Sequence, residues 1–494
     1  MPFHVLTTRI ALTLSLCTTL MASPAYAEDW LTFGRTGQRN SYNPNETVLS
    51  ARTVPSMRKL WSTKLTGPIV DQPTLASGIW VDDGTGAGSQ VRADVVYAVD
   101  LSGMVSALDA HSGQIIWQNQ LPAIPTTCAD FPLGQVGIVG TPTIDKANYR
   151  MWVVAGDGTL WALNPSNGNP WPGYPLQVID PDNQNGRTVV YSSPTYNSGA
   201  LYVTTASQCD VPPYHGQLIK VNVGTHATDL PFVAARWYPE GANGPDGGGI
   251  WGPGGVSVED NGSFVYAATG NALTVPDNAG YADQIVQLNE ALQPVASLAP
   301  KLEGEDVDFG ATPLLYQPPG CPPLMATMNK SGVLFVSKRD SASIKAGPLQ
   351  RLDITQAADA GGFIGIPVYD PVANQLYLGN PQSDVTGKYP HGLLAFKVRA
   401  DCTLSLAWQR TIGFDNNDPN GAENPIIPAA AANGVVYYST GSEGSVYAYD
   451  TAGNALWWSG KQIPGPVLAA PAVVNGMMLV GDYSGTITAF GVSP

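Results

Sequence analysis

Across residues 95–117 the chain alternates short apolar runs with polar turns in a fixed order. Residues 95–99 form a β-rich run, Ser102-Gly103 turns it back, residues 105–108 form a second run, and Ser112-Gly113 turns the chain again toward Ile115 and Trp117. Apolar runs of this length, bounded by glycine turns, predict a three-strand meander. The same order returns in WVVAGDGTLWALNPSNGNPW from Trp152 and in VVYYSTGSEGSVYAYDTAGNALWW from Val435. Glycine marks each tight turn and tryptophan each outer strand. A unit this small cannot bury both faces alone, so copies repeated at roughly 40–60 residues must pack on one another, which predicts a β-propeller.

A small-Pro-apolar pattern marks the start of each unit's first strand. It occurs at Gln72-Pro73, Thr141-Pro142, Ser193-Pro194, Gly252-Pro253, Thr312-Pro313, Ile366-Pro367, Ile427-Pro428 and Ala470-Pro471, eight times in all. Proline at a strand's first residue removes no ladder hydrogen bond. The expected fold is all-β: a single eight-bladed propeller of four-stranded antiparallel blades. The last unit, from Pro471 to Phe490, shows only three strands. Trp30 to Phe33 would supply the fourth, closing the ring with an N-terminal strand and removing its exposed edge.

Ahead of that strand, Arg9 precedes an apolar run over residues 10–21, and Ala25-Tyr26-Ala27 offers a signal-peptidase pattern before Glu28. Residues 1–27 read as a signal peptide and 28–494 as one propeller domain; a retained anchor is the alternative, but the run is short for a bilayer. The protein is expected to be periplasmic or secreted, with no membrane span after cleavage. The formal net charge of −15 argues against nucleic acid and anionic membranes as partners. With 54 Gly and 42 Pro, the composition favours turn-rich β structure over helix.

In a four-stranded blade with strands A to D, the D–A and B–C connections open on one face, and the A–B and C–D connections on the other. Cys128 and Cys209 fall on the first face, Cys321 and Cys402 on the second. Of the three pairings open to the four cysteines beyond the signal peptide, only Cys128–Cys209 with Cys321–Cys402 keeps partners on one face, free buried thiols being the alternative.

The repeats, with ALDAHSGQIIW over residues 107–117, resemble the blades of the pyrroloquinoline quinone (PQQ) family, nearest the polyvinyl-alcohol dehydrogenase branch in their sparse loops. The likeness covers nearly all of the mature chain. Non-catalytic propellers share the blade motif, so function has to be argued from the site. In GGGIWGPGGVSVEDNGSFVYAATGN, Trp251 matches the family's floor tryptophan, which carries the flat quinone, and Asn271 its calcium-ligating asparagine. In GEDVDFGATPLL, Asp308 falls at the catalytic aspartate, and in MATMNKSGVLFV, Lys330 takes the place of the cation that holds the quinone oxygens. All four positions lie on D–A or B–C connections.

These residue types suit the chemistry. A carboxylate beside the cofactor ligates a hard cation and accepts the alcohol proton, and asparagine adds a neutral oxygen ligand. A fixed cation stabilises negative charge developing on the quinone, and a broad aromatic face excludes water. Each residue also has a plain structural reading: Asn271 as a turn residue, Asp306 and Asp308 as a solvated pair, Lys330 as a hairpin tip, Trp251 as inter-blade packing. The sequence departs from the family as well. Cys128 is followed by Ala129 instead of a second cysteine, no arginine follows in residues 131–140, and Asp210 is the nearest carboxylate to the third-blade calcium glutamate. In the sixth blade, Gly361-Gly362 and Tyr369-Asp370-Pro371 match, but Ile364 and Gly365 replace an Asn-Trp pair.

The resemblance implies a quinoprotein oxidoreductase that oxidises an alcohol or polyol with PQQ and Ca²⁺. Electrons would pass to an external acceptor such as a cytochrome c, because the CxxCH of covalent haem is missing. A non-catalytic propeller that binds protein or glycan through the same face is the alternative.

Overall fold

A computed structural model describes residue 1 and residues 28–82, 84, 88–179, 187–207, 209–273, 280–301, 307–355, 366–415, 417 and 429–492. Residues 2–27 of the expected signal peptide, Asp306, and residues 361–365 of the sixth-blade comparison therefore lie outside the described residues. Eight antiparallel blades form one propeller. In blade one the strands are Thr74–Asp82, Gln90–Val99, Met104–Asp109 and Ile115–Gln120, from the axis outward. Because blades stack face to face, inner strands read as continuous apolar runs: residues 95–99 are all buried, whereas the outer strand Ile115–Gln120 alternates exposed and half-buried positions.

Pro73, Pro142, Pro194, Pro313, Pro367 and Pro471 each stand immediately before an inner strand. Pro253 stands four residues ahead of Ser257–Val258, leaving a longer connection that carries Trp251. Pro428 lies outside the described residues.

An N-terminal strand closes the ring, but it is Arg58–Lys64, pairing antiparallel with Thr486–Gly491 of the eighth blade. Trp30 to Phe33 does not take that place. Trp30 exchanges two backbone hydrogen bonds with Leu75 on the innermost strand of blade one, at 2.8 and 2.9 Å. The physical reason is burial. Trp30 is fully buried and belongs at the axis, whereas Arg58–Lys64 carries five exposed residues of seven and suits a rim.

The segment from Glu28 to Asn43 makes a circuit of the axis and touches the inner strand of every blade. Leu75, Ile144, Val258, Leu315 and Ala431 donate backbone N–H to the carbonyls of Trp30, Leu31, Gly37, Gln38 and Ser41, in blades one, two, four, five and seven. Arg39 reaches blade three, where its guanidinium donates to Pro194 O at 3.1 Å and Thr195 Oγ1 at 2.5 Å. Tyr42 packs with Val368 and Tyr377 of blade six. Asn43 Nδ2 donates to Val473 O of blade eight at 2.9 Å.

Neighbouring blades are fastened at the rim by the repeat's own signature. The indole N–H of Trp61, Trp117 and Trp408 donates to Ala110 O, Pro165 O and Thr451 O in the following blade's C–D turn, at 2.8, 2.9 and 2.9 Å. Each ring lies on that turn's glycine. A Cβ on Gly113, Gly168 or Gly453 would come within 2.5, 2.6 or 2.7 Å of the ring, and all three glycines have positive φ. The motif's spacing from turn glycine to tryptophan thus encodes contact between blades as well as strands within one. Both expected disulfides form, Cys128–Cys209 and Cys321–Cys402, each with Cα atoms 5.7 Å apart.

Arg39 is fully buried and donates also to Phe33 O at 2.7 Å and Thr32 Oγ1 at 2.9 Å. Arg39→Ala strands several of these acceptors inside the ring, so a loss of about 3 kcal/mol or more is expected. A lowered denaturant midpoint checks this, with Arg399→Ala at the exposed rim shifting it little.

Candidate functional site

At the axis, on the face where D–A and B–C connections open, lies a cavity of about 620 Å³. Two registers of the repeat recur in its wall. The first is the residue three places before the inner-strand proline: Val70, Val139, Tyr191 and Leu468 line the cavity from blades one, two, three and eight. The second follows the Asp or Asn that opens a B–C turn: Leu101, Lys330 and Tyr483 line it from blades one, five and eight. Those turns are set by the acid or amide itself. Asp100 Oδ1 and Asp482 Oδ1 accept the N–H of Ser102 and Ser484 at 2.9 and 2.7 Å, and Asn329 Oδ1 accepts Val333 N–H at 3.0 Å.

Trp251, Asp308 and Lys330 form one contact group in this wall. The Trp251 indole N–H donates to Asp308 Oδ2 at 2.7 Å, and Lys330 Nζ stands 3.0 Å from Asp308 Oδ1. Lys330 Nζ also lies 4.9 Å from the centre of the Trp251 ring, in cation–π range. Asp308 is 3% exposed. A carboxylate so buried is sustained only by charge pairing and hydrogen bonds, and here it has both.

A relay of backbone hydrogen bonds across three blades sets this geometry. Ile250 N–H donates to Thr205 O, Gly270 N–H to Gly249 O, Phe309 N–H to Thr269 O, and Lys330 N–H to Asp308 O, at 3.0, 2.7, 3.2 and 3.0 Å. Glycine is required where side chains meet backbone. A Cβ on Gly270 would stand 2.9 Å from Asp308 Oδ2, and one on Gly310 would stand 2.5 Å from the Trp251 ring.

Asp210 also lines the cavity, from the B–C connection of blade three, and Tyr214 donates its hydroxyl to Asp210 Oδ1 at 2.8 Å. Burial pushes the Tyr214 phenol well up, with the negative charges of Asp210, Asp308 and Asp246 adding to the effect. Asp210 and Asp308 thus place two carboxylates in the cavity wall. Asn271 is not among the lining residues. It is joined to the site by its backbone, its carbonyl accepting Gly248 N–H at 2.8 Å, and through Gly270 against Asp308.

Sequence reading missed Phe33, Phe131, Tyr191, Tyr214 and Tyr483. Tyr191 and Tyr483 were detectable, because they occupy the same registers as Val70 and Lys330. Phe33 arrives with the axial segment and makes it part of the cavity wall. Phe131 packs on Tyr191 with ring centroids 5.7 Å apart, beside the Cys128–Cys209 disulfide. Cys128, Asp130 and Cys209 bring three potential ligand atoms within 4.8 Å of one another, but the two sulfurs are bonded to each other and offer no thiolate. An aromatic wall holding one fixed ammonium and one buried carboxylate suits a flat, anionic ligand.

Comparison with known proteins agrees with the repeat reading. The sequence profile of the PQQ-repeat family described as outer membrane protein assembly factor BamB matches residues 45–208 and 405–493. A polyvinylalcohol dehydrogenase from Pseudomonas sp is 23% identical over 511 residues, covering 92% of this chain and 73% of the relative. Among solved structures, a europium-containing methanol dehydrogenase superposes with a TM-score of 0.70 at 12% identity, covering 94% of this chain and 98% of the other. The quinohemoprotein alcohol dehydrogenase of Comamonas testosteroni gives 0.67 at 15% identity, covering 94% and 80%. At these identities the structures establish the shared fold. Among the described residues, no helix is long and apolar enough to cross a membrane.

Because Gly310 has an ordinary φ and no room, Gly310→Ala must push the Trp251 ring away. The expected cost is about 1–3 kcal/mol, with a changed near-UV circular dichroism spectrum and unchanged far-UV spectrum.

Proposed function

We propose that this chain, which belongs to the PQQ-repeat propeller family, is an exported quinoprotein oxidoreductase that oxidises an alcohol or polyol with PQQ and Ca²⁺. One observation carries the reading. Trp251, Asp308 and Lys330 are joined at 2.7, 3.0 and 4.9 Å in the wall of a single axial cavity. The names of the relatives and fold neighbours, alcohol dehydrogenases among them, support it.

Both groups suit the residues present. Trp251 and Lys330 would hold PQQ, offering an aromatic face and a cation for its anionic oxygens. Asp308 and Asp210, both in the cavity wall, would hold Ca²⁺ together with Asn271, since Ca²⁺ takes oxygen ligands. When bound, PQQ supplies the two-electron acceptor and Ca²⁺ the Lewis acid.

The remaining work falls to the chain. Lys330 pairs with the buried Asp308 carboxylate, and an Asp308 oxygen takes the proton of the substrate hydroxyl as general base. Trp251 fixes that carboxylate's direction through its indole N–H. Tyr191, Phe131 and Tyr483 restrict water, which strengthens the electrostatics within. Residues 1–27 are read as the signal peptide and residues 28–494 as the mature propeller, with the disulfides fitting an oxidising compartment, periplasmic or extracellular. Electrons leave to a separate carrier such as a cytochrome c.

The second reading, a non-catalytic binding propeller, draws on the fact that both Asp308 oxygens already have partners within the wall. Dye-linked alcohol oxidation separates the two. Activity is expected only with added PQQ and Ca²⁺, and Asp308→Asn should lower it by ~10²–10⁴ with the fold intact. Oxidation of no alcohol under saturating PQQ and Ca²⁺ would leave the binding propeller.

A further inference from the structure

On the B–C connection of blade three, Cys209 and Asp210 both adopt left-handed backbone, at φ 52° and 47°. Two successive non-glycine residues in that region are strained, and such strain persists where surrounding contacts over-determine it. Here the contacts are visible. Cys209 is bonded to Cys128 on the neighbouring blade's entry loop. Asp210 Oδ1 accepts the Tyr214 hydroxyl at 2.8 Å. Tyr214 in turn is anchored: its N–H donates to Asp246 Oδ1 at 2.9 Å, and its carbonyl accepts Gly247 N–H at 3.0 Å.

Asp246 and Gly247 lie on the connection that carries Trp251. Tyr214 therefore ties the turn of Cys209 and Asp210 to the loop of the aromatic wall. The tyrosine is 2% exposed, and its phenolic O–H is the donor to the Asp210 carboxylate, which can only accept. The Tyr214 hydroxyl thus directs the Asp210 carboxylate, which is itself exposed at the cavity rim.

We infer that Tyr214 is a positioning residue. Its hydroxyl, acting with the Cys128–Cys209 disulfide, holds Asp210 in a left-handed turn with its carboxylate on the cavity wall, where it serves as a cation ligand. The cation role rests on the quinoprotein reading; the holding of the turn does not.

Two measurements test this on the full-length protein. The first needs no cofactor: native-state reduction by dithiothreitol, followed by alkylation and peptide mass mapping, in wild type and Tyr214→Phe. Loss of one hydrogen bond to a carboxylate should open the turn more often and speed Cys128–Cys209 reduction by about tenfold, while Cys321–Cys402 on the opposite face keeps its rate. The second is calorimetric Ca²⁺ titration with PQQ present. Tyr214→Phe should weaken Ca²⁺ binding by about tenfold or more, Asp210→Asn should weaken it further, and adding Tyr214→Phe to Asp210→Asn should change nothing more. Additive effects would mean that Tyr214 acts only on the fold and would overturn the assignment. Equal reduction rates in wild type and Tyr214→Phe would overturn it too. A wild type that binds neither Ca²⁺ nor PQQ removes the quinoprotein reading and the ligand role, and the reduction rates then decide whether Tyr214 holds the turn.

Discussion

Every blade of a propeller presents the free edge of its innermost strand to the axis, and a free edge carries unpaired N–H and C=O groups. Leaving these buried and unmet is costly. Here one length of chain, from Glu28 to Asn43, meets them. Its carbonyls accept from Leu75, Ile144, Val258, Leu315 and Ala431. Where its backbone cannot reach, side chains do: Arg39 to Pro194 O and Asn43 to Val473 O. The ring is therefore closed twice, at the rim by Arg58–Lys64 and at the axis by the segment just before it.

This axial segment also shapes the site. Phe33 stands in the cavity wall. Above it, side chains come from connections of one parity only, because D–A and B–C loops share a face. Rigid strands set each loop's start, and backbone bonds between loops set the rest. The bonds from Thr205 to Ile250, Gly249 to Gly270, Thr269 to Phe309, and Asp308 to Lys330 are such a relay. A buried carboxylate, an ammonium and an indole are thereby brought together without depending on any mobile side chain of the rim.

Much of this was legible in the chain. The prolines marked the inner strands because proline at a strand's first residue removes no ladder hydrogen bond. Loop parity paired the cysteines correctly. Trp251, Asp308 and Lys330 were placed by resemblance, and the structure brings them into contact. Misreading of Trp30 has a plain cause: a short apolar run looks the same whether it pairs along a rim or across an axis, and only burial separates the two. Tyr214 escaped because its role depends on a left-handed turn at Cys209 and Asp210, which no local residue preference announces. Asn271 was chosen for its amide, yet its visible link to the site is its backbone carbonyl.

The proposed function requires the axial cavity to take a quinone against Trp251 and Lys330. Titrating the purified protein with PQQ, with tryptophan fluorescence as the signal, tests it most directly. Saturable quenching at one site per chain is expected, with affinity lower by about tenfold or more in Trp251→Ala at unchanged far-UV circular dichroism. Quenching that never saturates, or that is identical in Trp251→Ala, would contradict the account.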